Sequence, residues 1–233
     1  MKNDFAISPG EDTETLAQAA FRAIRTDIIR GVRKPGERLR IERLRSIYEI
    51  GPTPLREALQ RLGQDGLVIM EGNRGFRVAP LDPSEFTDLN TARTSIEKEA
   101  LRLSILRGDN DWEAKVVAAS YIMKKEDLAL AEGGEGVPDS WERANGEFHF
   151  ALVSACGSNW LLRVRSSLHD LCERYRRAAI YQKLGSRNLQ DEHSAIAEAV
   201  LARDTDLACA LIEKHFALTA STLYDASTRH DVK

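Results

Sequence analysis

The sequence predicts a mainly α-helical protein built from two parts. Apolar residues recur at helical spacing through most of the 233-residue chain, and strand-like patterning is confined to residues 67–70 and 76–78. Residues 15–80 contain 13 lysines and arginines against 7 acidic residues, a net charge of +6. Residues 81–233 contain 19 lysines and arginines against 25 acidic residues, a net charge of −6. A basic first part is therefore joined to an acidic second part.

Composition favours a protein of the cytoplasm. Hydrophobic residues make up 42% and charged residues 30%, which are ordinary values for a soluble domain. The three cysteines are scattered and form no CxxC motif, as expected in a reducing compartment. The first residues lack the apolar core of a signal peptide, and no apolar run approaches the ~20 residues of a membrane span. We therefore expect no membrane partner.

Three helices are predicted in the basic part. The first covers residues 15–30 and ends before the Lys-Pro-Gly turn at 34–36. The second covers residues 40–48. The third begins near Thr53, whose side chain can cap the free amides, and Pro54 suits the first helical position because its missing N–H costs nothing there.

A tight hairpin follows the third helix. The two strand segments are separated by Glu-Gly-Asn-Arg-Gly at 71–75, a turn rich in residues that accept positive φ. A short helix behind a Thr-Pro start, followed by a hairpin with arginine at its tip, is the order of parts in a winged helix-turn-helix. We assign this module to residues 15–79, between a flexible N-terminus at 1–14 and a linker at 80–84.

The acidic part shows helical spacing throughout. Six helices are predicted, at residues 84–107, 111–132, 138–155, 159–181, 187–203 and 205–224. Short connections between them favour an all-α antiparallel helical bundle. This domain spans residues 85–224 and is followed by a polar tail at 225–233.

The third helix carries the first candidate DNA contacts. Arg56 lies one turn into the helix on its outward face, where it can bind guanine in the major groove or clamp a phosphate. Thr53 at the helix start can donate to phosphate, and Gln60 shares the outward face. The alternative for each residue is an ordinary solvated surface group.

Helix two and the hairpin supply the other candidates. Arg43 and Arg45 in helix two can contact phosphates or the groove. Arg74 at the hairpin tip, with Gly75 allowing close approach, can enter the minor groove. Basic residues on three elements that face DNA favour a nucleic-acid interface over unrelated surface charges.

The bundle contains a candidate metal-binding set. Asn145 and His149 are four residues apart and share a helix face, and His193 and His215 lie on the last two predicted helices. A bundle can direct all four side chains into one interior, where an imidazole-rich set suits zinc, with nickel or manganese as alternatives. Histidines on helices are also common as ordinary core or surface residues, and the spacing leaves that alternative open.

The basic part resembles the GntR family of bacterial transcription regulators, and the helical part resembles the FCD domain of its FadR branch. The motifs are Pro-Gly at 35–36, Thr-Pro-Leu-Arg-Glu-Ala-Leu at 53–59 and Arg-Gly-Phe at 74–76. Six helices look more like the VanR-type subgroup than the seven-helix type. The resemblance covers about residues 15–222. Gly51-Pro52 replaces a frequent Ser-Arg, so the family's base-reading arginine is absent there.

The resemblance implies a metal centre and an effector pocket. FCD domains bind metal through Asp or Asn four residues before a histidine plus two later histidines, and this pattern falls on the four candidates above. Arg93, with Glu97 one turn on, matches an arginine-glutamate pattern of the family. We expect Arg93 to face the cavity and pair with an acidic effector; the alternative is an i, i+4 salt bridge with Glu97. His169 and His230 match nothing in the family and are interpreted as structural or surface residues.

Three functions are consistent with the sequence. The first is a homodimeric, non-enzymatic regulator that reads a palindromic operator in double-stranded DNA and responds to a small carboxylate metabolite. The second is a metal-dependent, hydrolase-like domain fused to a DNA-binding domain. The third is a ligand-independent dimeric DNA binder in which the histidines have no role.

Overall fold

The chain folds into two compact units, and the boundary between them lies after Ala79, except that Ile29–Gly31 group with the second unit. The computed structural model describes residues 14–72, 75–133, 138–179 and 187–228. These residues form nine helices and three short strands. The predicted mainly α fold, a winged helix-turn-helix followed by an all-α bundle, is confirmed. No helix among the described residues combines the length and apolar character that a bilayer crossing requires.

The first unit contains three helices and a small sheet. Its elements are α1 (Leu16–Ile29), β1 (Arg38–Leu39), α2 (Ile41–Tyr48), α3 (Pro52–Gln64), β2 (Val68–Met70) and β3 (Phe76–Val78). The strands are antiparallel in the order β1-β3-β2, with Arg38 opposite Arg77 and Val68 opposite Val78. The sequence did not predict β1, because two residues are too short to show alternation.

The start of α3 differs from the prediction. Gly51 occupies the cap position in an extended conformation, and Pro52 is the first helical residue. Proline fits there because its fixed φ is already helical and it has no N–H to satisfy. Thr53 therefore lies inside the first turn, and its predicted capping role is wrong. The buried apolar face of α3 consists of Leu55, Ala58, Leu59 and Leu62.

The second unit consists of six helices. They are α4 (Pro83–Arg107), α5 (Asn110–Ala131), α6 (Asp139–Val153), α7 (Asn159–Ala179), α8 (Leu189–Leu201) and α9 (Thr205–Thr228). Helix α4 packs against α7 and α9, and α5 packs against α6 and α8. Asp82 caps α4 by accepting the Ser84 amide at 2.8 Å. Helix α9 passes residue 225, where a polar tail was expected, because no glycine or proline interrupts its last turn.

Gly108, between α4 and α5, is packed against a buried indole. A Cβ added there would lie 2.0 Å from Cε3 of Trp112, whose Nε1 donates to the Ala151 carbonyl at 2.9 Å. Because Trp112 cannot move without losing this bond and its packing, we expect Gly108→Ala to lower the free energy of unfolding by about 1–3 kcal/mol. Chemical denaturation measures the change.

Gly51→Ala is the matched control. A Cβ there meets nothing nearer than Pro54 Cδ at 3.9 Å, and the backbone φ of −64° suits alanine. Its effect should stay below about 1 kcal/mol, the cost of replacing glycine by alanine at a helix cap. Equal stability of the two variants would contradict the close packing of Trp112 on Gly108.

Candidate functional site

Five of the seven predicted DNA contacts lie on the helices α2 and α3. All five are solvent-exposed: Arg43, Arg45, Thr53, Arg56 and Gln60. No ion pair or hydrogen bond of the three guanidinium groups is found within the described part of the chain. Their guanidinium groups are therefore available to an external anion such as a DNA phosphate.

The hairpin tip is described only in part. Arg74 lies outside the described residues, whereas Gly75 has a φ of +94°, a conformation that favours glycine. The Glu71 amide donates to the Gly75 carbonyl at 2.9 Å, and Arg77 on β3 binds the Glu71 carboxylate at 2.7 Å. The base of the wing is thus held by both backbone and side-chain bonds.

Three histidines of the second unit converge in the bundle interior. His149 on α6, His193 on α8 and His215 on α9 each offer a nitrogen, and these atoms lie within 4.8 Å of one another. Their exposed fractions are only 1%, 3% and 6%. Asn145, one turn before His149, is also buried and lines the same cavity as His149 and His215. The structure therefore brings all four predicted ligands to one region.

Two carboxylates orient this cluster. His193 Nδ1 lies 2.6 Å from Asp127 Oδ2, and His215 Nδ1 lies 2.8 Å from Glu192 Oε2. Since an ionised carboxylate only accepts, both Nδ1 atoms carry the proton and each Nε2 keeps its lone pair. Asp127 is itself fixed by the Trp141 indole N–H at 2.8 Å. Such carboxylate–imidazole pairs are the usual outer partners of metal-binding histidines.

The free nitrogens of the cluster fit a cation better than a packed core. His193 Nε2 and both ring nitrogens of His149 are buried without a hydrogen-bonding partner among the described residues. Buried polar atoms are rarely left unpaired unless a ligand or water completes them. Together with the Asn145 amide oxygen, these donors match the nitrogen and oxygen ligands preferred by zinc and similar ions.

Burial keeps His149 and His215 in the neutral form that binds metal. Desolvation lowers the pKa of His149 well below its ordinary value and lowers the pKa of His215 to about 3. Burial alone would raise the pKa of Glu192, but hydrogen bonds from His215 and Arg187 lower it to about 2. At neutral pH His149 and His215 are therefore neutral imidazoles, and the Glu192 carboxylate beside His215 is ionised.

Arg93 is buried near the histidines. Its guanidinium lies 3.8 Å from the Phe216 ring centroid, and Nη2 lies 3.5 Å from His169 Nδ1. The alternative pairing with Glu97 is absent from the described residues, because Glu97 instead receives a two-point contact from Arg165 at 3.1 Å. Burial lowers the pKa of Arg93. His169, interpreted above as structural or surface, is buried; His230 lies outside the described residues.

The cavity beside the histidines is rich in cations. Its lining consists of Arg93, Trp141, Asn145, His149, Arg176, Arg187, Leu189, His215, Phe216 and Thr219. Arg176 binds the Glu142 carboxylate at 2.8 Å, and Arg187 binds Glu192 at 2.5 Å. Sequence reasoning missed both arginines. Only the packing of α7 against α6 brings Arg176 to Glu142, and Arg187 lies in the loop before α8, where no periodicity indicates which side chain it binds. The arrangement can hold an anion close to a metal ion.

Comparison with known proteins agrees with both units. The family model described as bacterial regulatory proteins, gntR family, matches residues 16–78, and the FCD domain model matches residues 88–218. The chain is 37% identical over 220 residues to the HTH-type transcriptional regulator BphR of Paraburkholderia xenovorans, covering 94% of this chain and 90% of BphR. It is 38% identical over 199 residues to the HTH-type transcriptional repressor GlaR of Escherichia coli, covering 84% and 90%.

Solved structures show the same fold. McbR/YncC of E. coli superposes with a TM-score of 0.74 at 17% identity, over 91% of this chain and 99% of McbR/YncC. A GntR regulator from Rhodococcus gives 0.72 at 22% identity, over 90% and 98%. The chain therefore belongs to the GntR family of bacterial transcription regulators, and its C-terminal unit is an FCD effector-binding domain.

Proposed function

We propose that this regulator holds a divalent metal ion in its FCD domain and that a small carboxylate bound beside the ion changes its affinity for DNA. The proposed ligands are Asn145, His149, His193 and His215, with zinc as the first expected ion and nickel or manganese as alternatives. The observation that carries the proposal is the convergence of three buried imidazoles whose nitrogens lie within 4.8 Å.

The donor set suits an effector site. A bound divalent ion supplies positive charge and coordination positions for a carboxylate oxygen. Asn145 contributes a neutral oxygen, so the protein ligands leave the charge of the ion uncompensated. Asp127 and Glu192 fix the rings of His193 and His215. Because the Nε2 atoms are already oriented for the metal, binding does not cost the conformational entropy of ordering them.

Binding rather than catalysis is the better interpretation of the site. A hydrolase needs a general base within reach of a metal-bound water. The described carboxylates near the histidines are already engaged: Asp127 with His193 and Trp141, Glu192 with His215 and Arg187, and Glu142 with Arg176. These contacts support a sensor over the hydrolase alternative.

The output of the sensor is proposed to be DNA binding by a homodimer. The proposed contact surface combines exposed residues of α2 and α3 with the wing: Arg43, Arg45, Thr53, Arg56, Gln60, Arg74 and Gly75. A palindromic operator follows from two copies of one recognition helix. The effector can change DNA affinity only if its own affinities for two arrangements of the dimer differ, and the change cannot exceed that difference.

Metal analysis tests the proposal directly. Protein purified without a histidine tag and supplied with zinc, nickel and manganese should hold about one divalent ion per chain. The His149→Ala/His193→Ala variant should lose it, because one ring supplies only part of the donor set. His169→Ala is the matched control, since it removes another buried histidine that belongs to a separate group with Asp170 and Glu173.

Two outcomes would contradict the proposed metal site. Metal absent from wild type and variants alike would remove the metal-sensor mechanism while leaving the family assignment intact. Loss of the ion in His169→Ala, with retention in the double variant, would place the metal in the other group.

A further inference from the structure

We infer that a second copy of this chain packs antiparallel along the exposed face of α5. This inference rests on the homodimer of the proposed function and adds to it the surface that joins the two copies. It depends on an apolar stripe on α5 and on flanking charges that match when two such helices run in opposite directions.

Helix α5 is apolar on two faces. One face packs into the bundle through the buried residues Trp112, Val116 and Met123. The opposite face carries apolar side chains that are exposed and share one side of the helix. This α5 stripe consists of Ala114, Val117, Ala118, Tyr121, Ile122, Leu128 and Ala129. Because a helix that is apolar all round is normally buried on every side, the stripe favours a cover from another molecule.

The α5 stripe is large enough for a specific dimer. Its larger side chains are exposed by 52% at Val117, 66% at Tyr121, 46% at Ile122 and 47% at Leu128. With the alanines, this gives roughly 300–400 Å² of apolar surface in each copy. Since about 60% of an interface is apolar, two stripes together would bury on the order of 1,000–1,300 Å², which reaches the lower end of specific interfaces.

Like charges disfavour a parallel pair of α5 helices. In a parallel two-fold pair each residue faces itself, so Lys125, which lies within the stripe, would face Lys125 of the second copy. Asp111 in the first turn would likewise face Asp111. Such like-charge contacts are unfavourable at an interface. An antiparallel pair instead brings Lys125 towards the first turn of the second copy, where Asp111 lies.

The flanks of the stripe match in the antiparallel arrangement. Lys115 near the beginning of α5 and Glu126 near its end are eleven residues apart, about three full turns, so they lie on one flank. Neither side chain forms an ion pair within the parts of the chain that the structure describes. In an antiparallel pair Lys115 of each copy meets Glu126 of the other, and Ala118 lies opposite the larger Tyr121.

Analytical ultracentrifugation of the full-length protein tests the inference. Wild type should sediment as a dimer, and Tyr121→Glu should raise the dimer dissociation constant at least about 100-fold, because it places a carboxylate in the apolar contact. Leu106→Glu is the matched control, since Leu106 is 76% exposed at the end of α4 and lies outside the stripe. It should change the dissociation constant by less than about threefold. Circular dichroism verifies that both variants fold.

Charge reversal tests the antiparallel direction. Lys115→Glu and Glu126→Lys should each raise the dissociation constant about 3- to 30-fold, since each removes two exposed ion pairs and creates two like-charge contacts. The Lys115→Glu/Glu126→Lys protein should return to within about threefold of wild type. Because the two residues are about 16 Å apart along one helix, only a contact between copies can produce this rescue.

The outcomes separate this inference from the proposed function. A dimeric, folded Tyr121→Glu protein would overturn α5 as the interface and leave the homodimer standing, and dissociation by Leu106→Glu instead would place the contact at the end of α4. A double reversal as weak as the single variants would overturn the antiparallel direction. Wild type that stays monomeric, both free and on DNA, would overturn the inference together with the proposed homodimer, while metal analysis would still decide the metal site.

Discussion

Arg56→Ala should lose most of its affinity for a DNA site selected by the wild-type protein from a random pool. Arg56 is exposed on α3, the helix that a winged helix-turn-helix presents to the major groove. A two-point arginine–guanine contact is worth about 1–3 kcal/mol, so we expect a loss of about 10- to 100-fold per recognition helix. Fluorescence anisotropy at one fixed salt concentration measures it.

Arg22→Ala is the matched control for Arg56→Ala. Arg22 is an exposed arginine of the same unit, but it lies on α1 and pairs with Glu14 at 2.7 Å. Its replacement should change DNA affinity by less than about threefold. If Arg56→Ala bound the selected site as tightly as wild type, Arg56 would not contact DNA, and Thr53, Gln60, α2 and the wing would have to account for specificity.

Local sequence signals predicted the helices well and their ends less well. Helical periodicity located all three helices of the first unit and all six of the second, because each buries a continuous apolar face. The predicted start of α3 was wrong because Pro52 and Pro54 both suit a first helical position. Thr53 can cap a helix that begins at Pro54, and the prediction therefore started the helix there. Strand β1 gave no signal because its two residues are ordered by pairing with β3.

The metal candidates could be named from sequence, whereas their partners could not. Asn145 and His149 share a helix face, His193 and His215 lie on the last two predicted helices, and the family pattern includes all four. Asp127 is 66 residues from His193, so only the packing of α5 against α8 brings the two together.

The partner of Glu97 could not be predicted for the same reason. Spacing within α4 offered a salt bridge with Arg93 as the alternative to an effector contact, but Arg165 on α7 binds that carboxylate. Interhelical pairs depend on the rotation of each helix in the bundle, which periodicity leaves undetermined.

Comparing Arg93 with Arg165 distinguishes a buried arginine that would bind a ligand from one that stabilises the fold. Both guanidinium groups are buried, with exposed fractions of 3% and 4%. Arg165 has the Glu97 carboxylate at 3.1 Å, while Arg93 has an aromatic ring, a neutral histidine and no carboxylate partner among the described residues. Arg93 is a buried cation whose nearest carboxylate, Glu97, is already paired with Arg165. Such a cation costs free energy in the ligand-free protein, and an anionic effector would remove that cost.

Arg93→Met should therefore stabilise the metal-free, ligand-free protein by about 1–3 kcal/mol while weakening carboxylate binding. Methionine keeps the contact with Phe216 and leaves no buried charge. Arg165→Met, the same replacement at equal burial, should instead destabilise by about 3–5 kcal/mol because it leaves Glu97 unpaired. Urea denaturation of both variants gives the two values. Similar losses of stability in both would show that the contacts of Arg93 with Phe216 and His169 outweigh its desolvation, and that Arg93 is a structural residue.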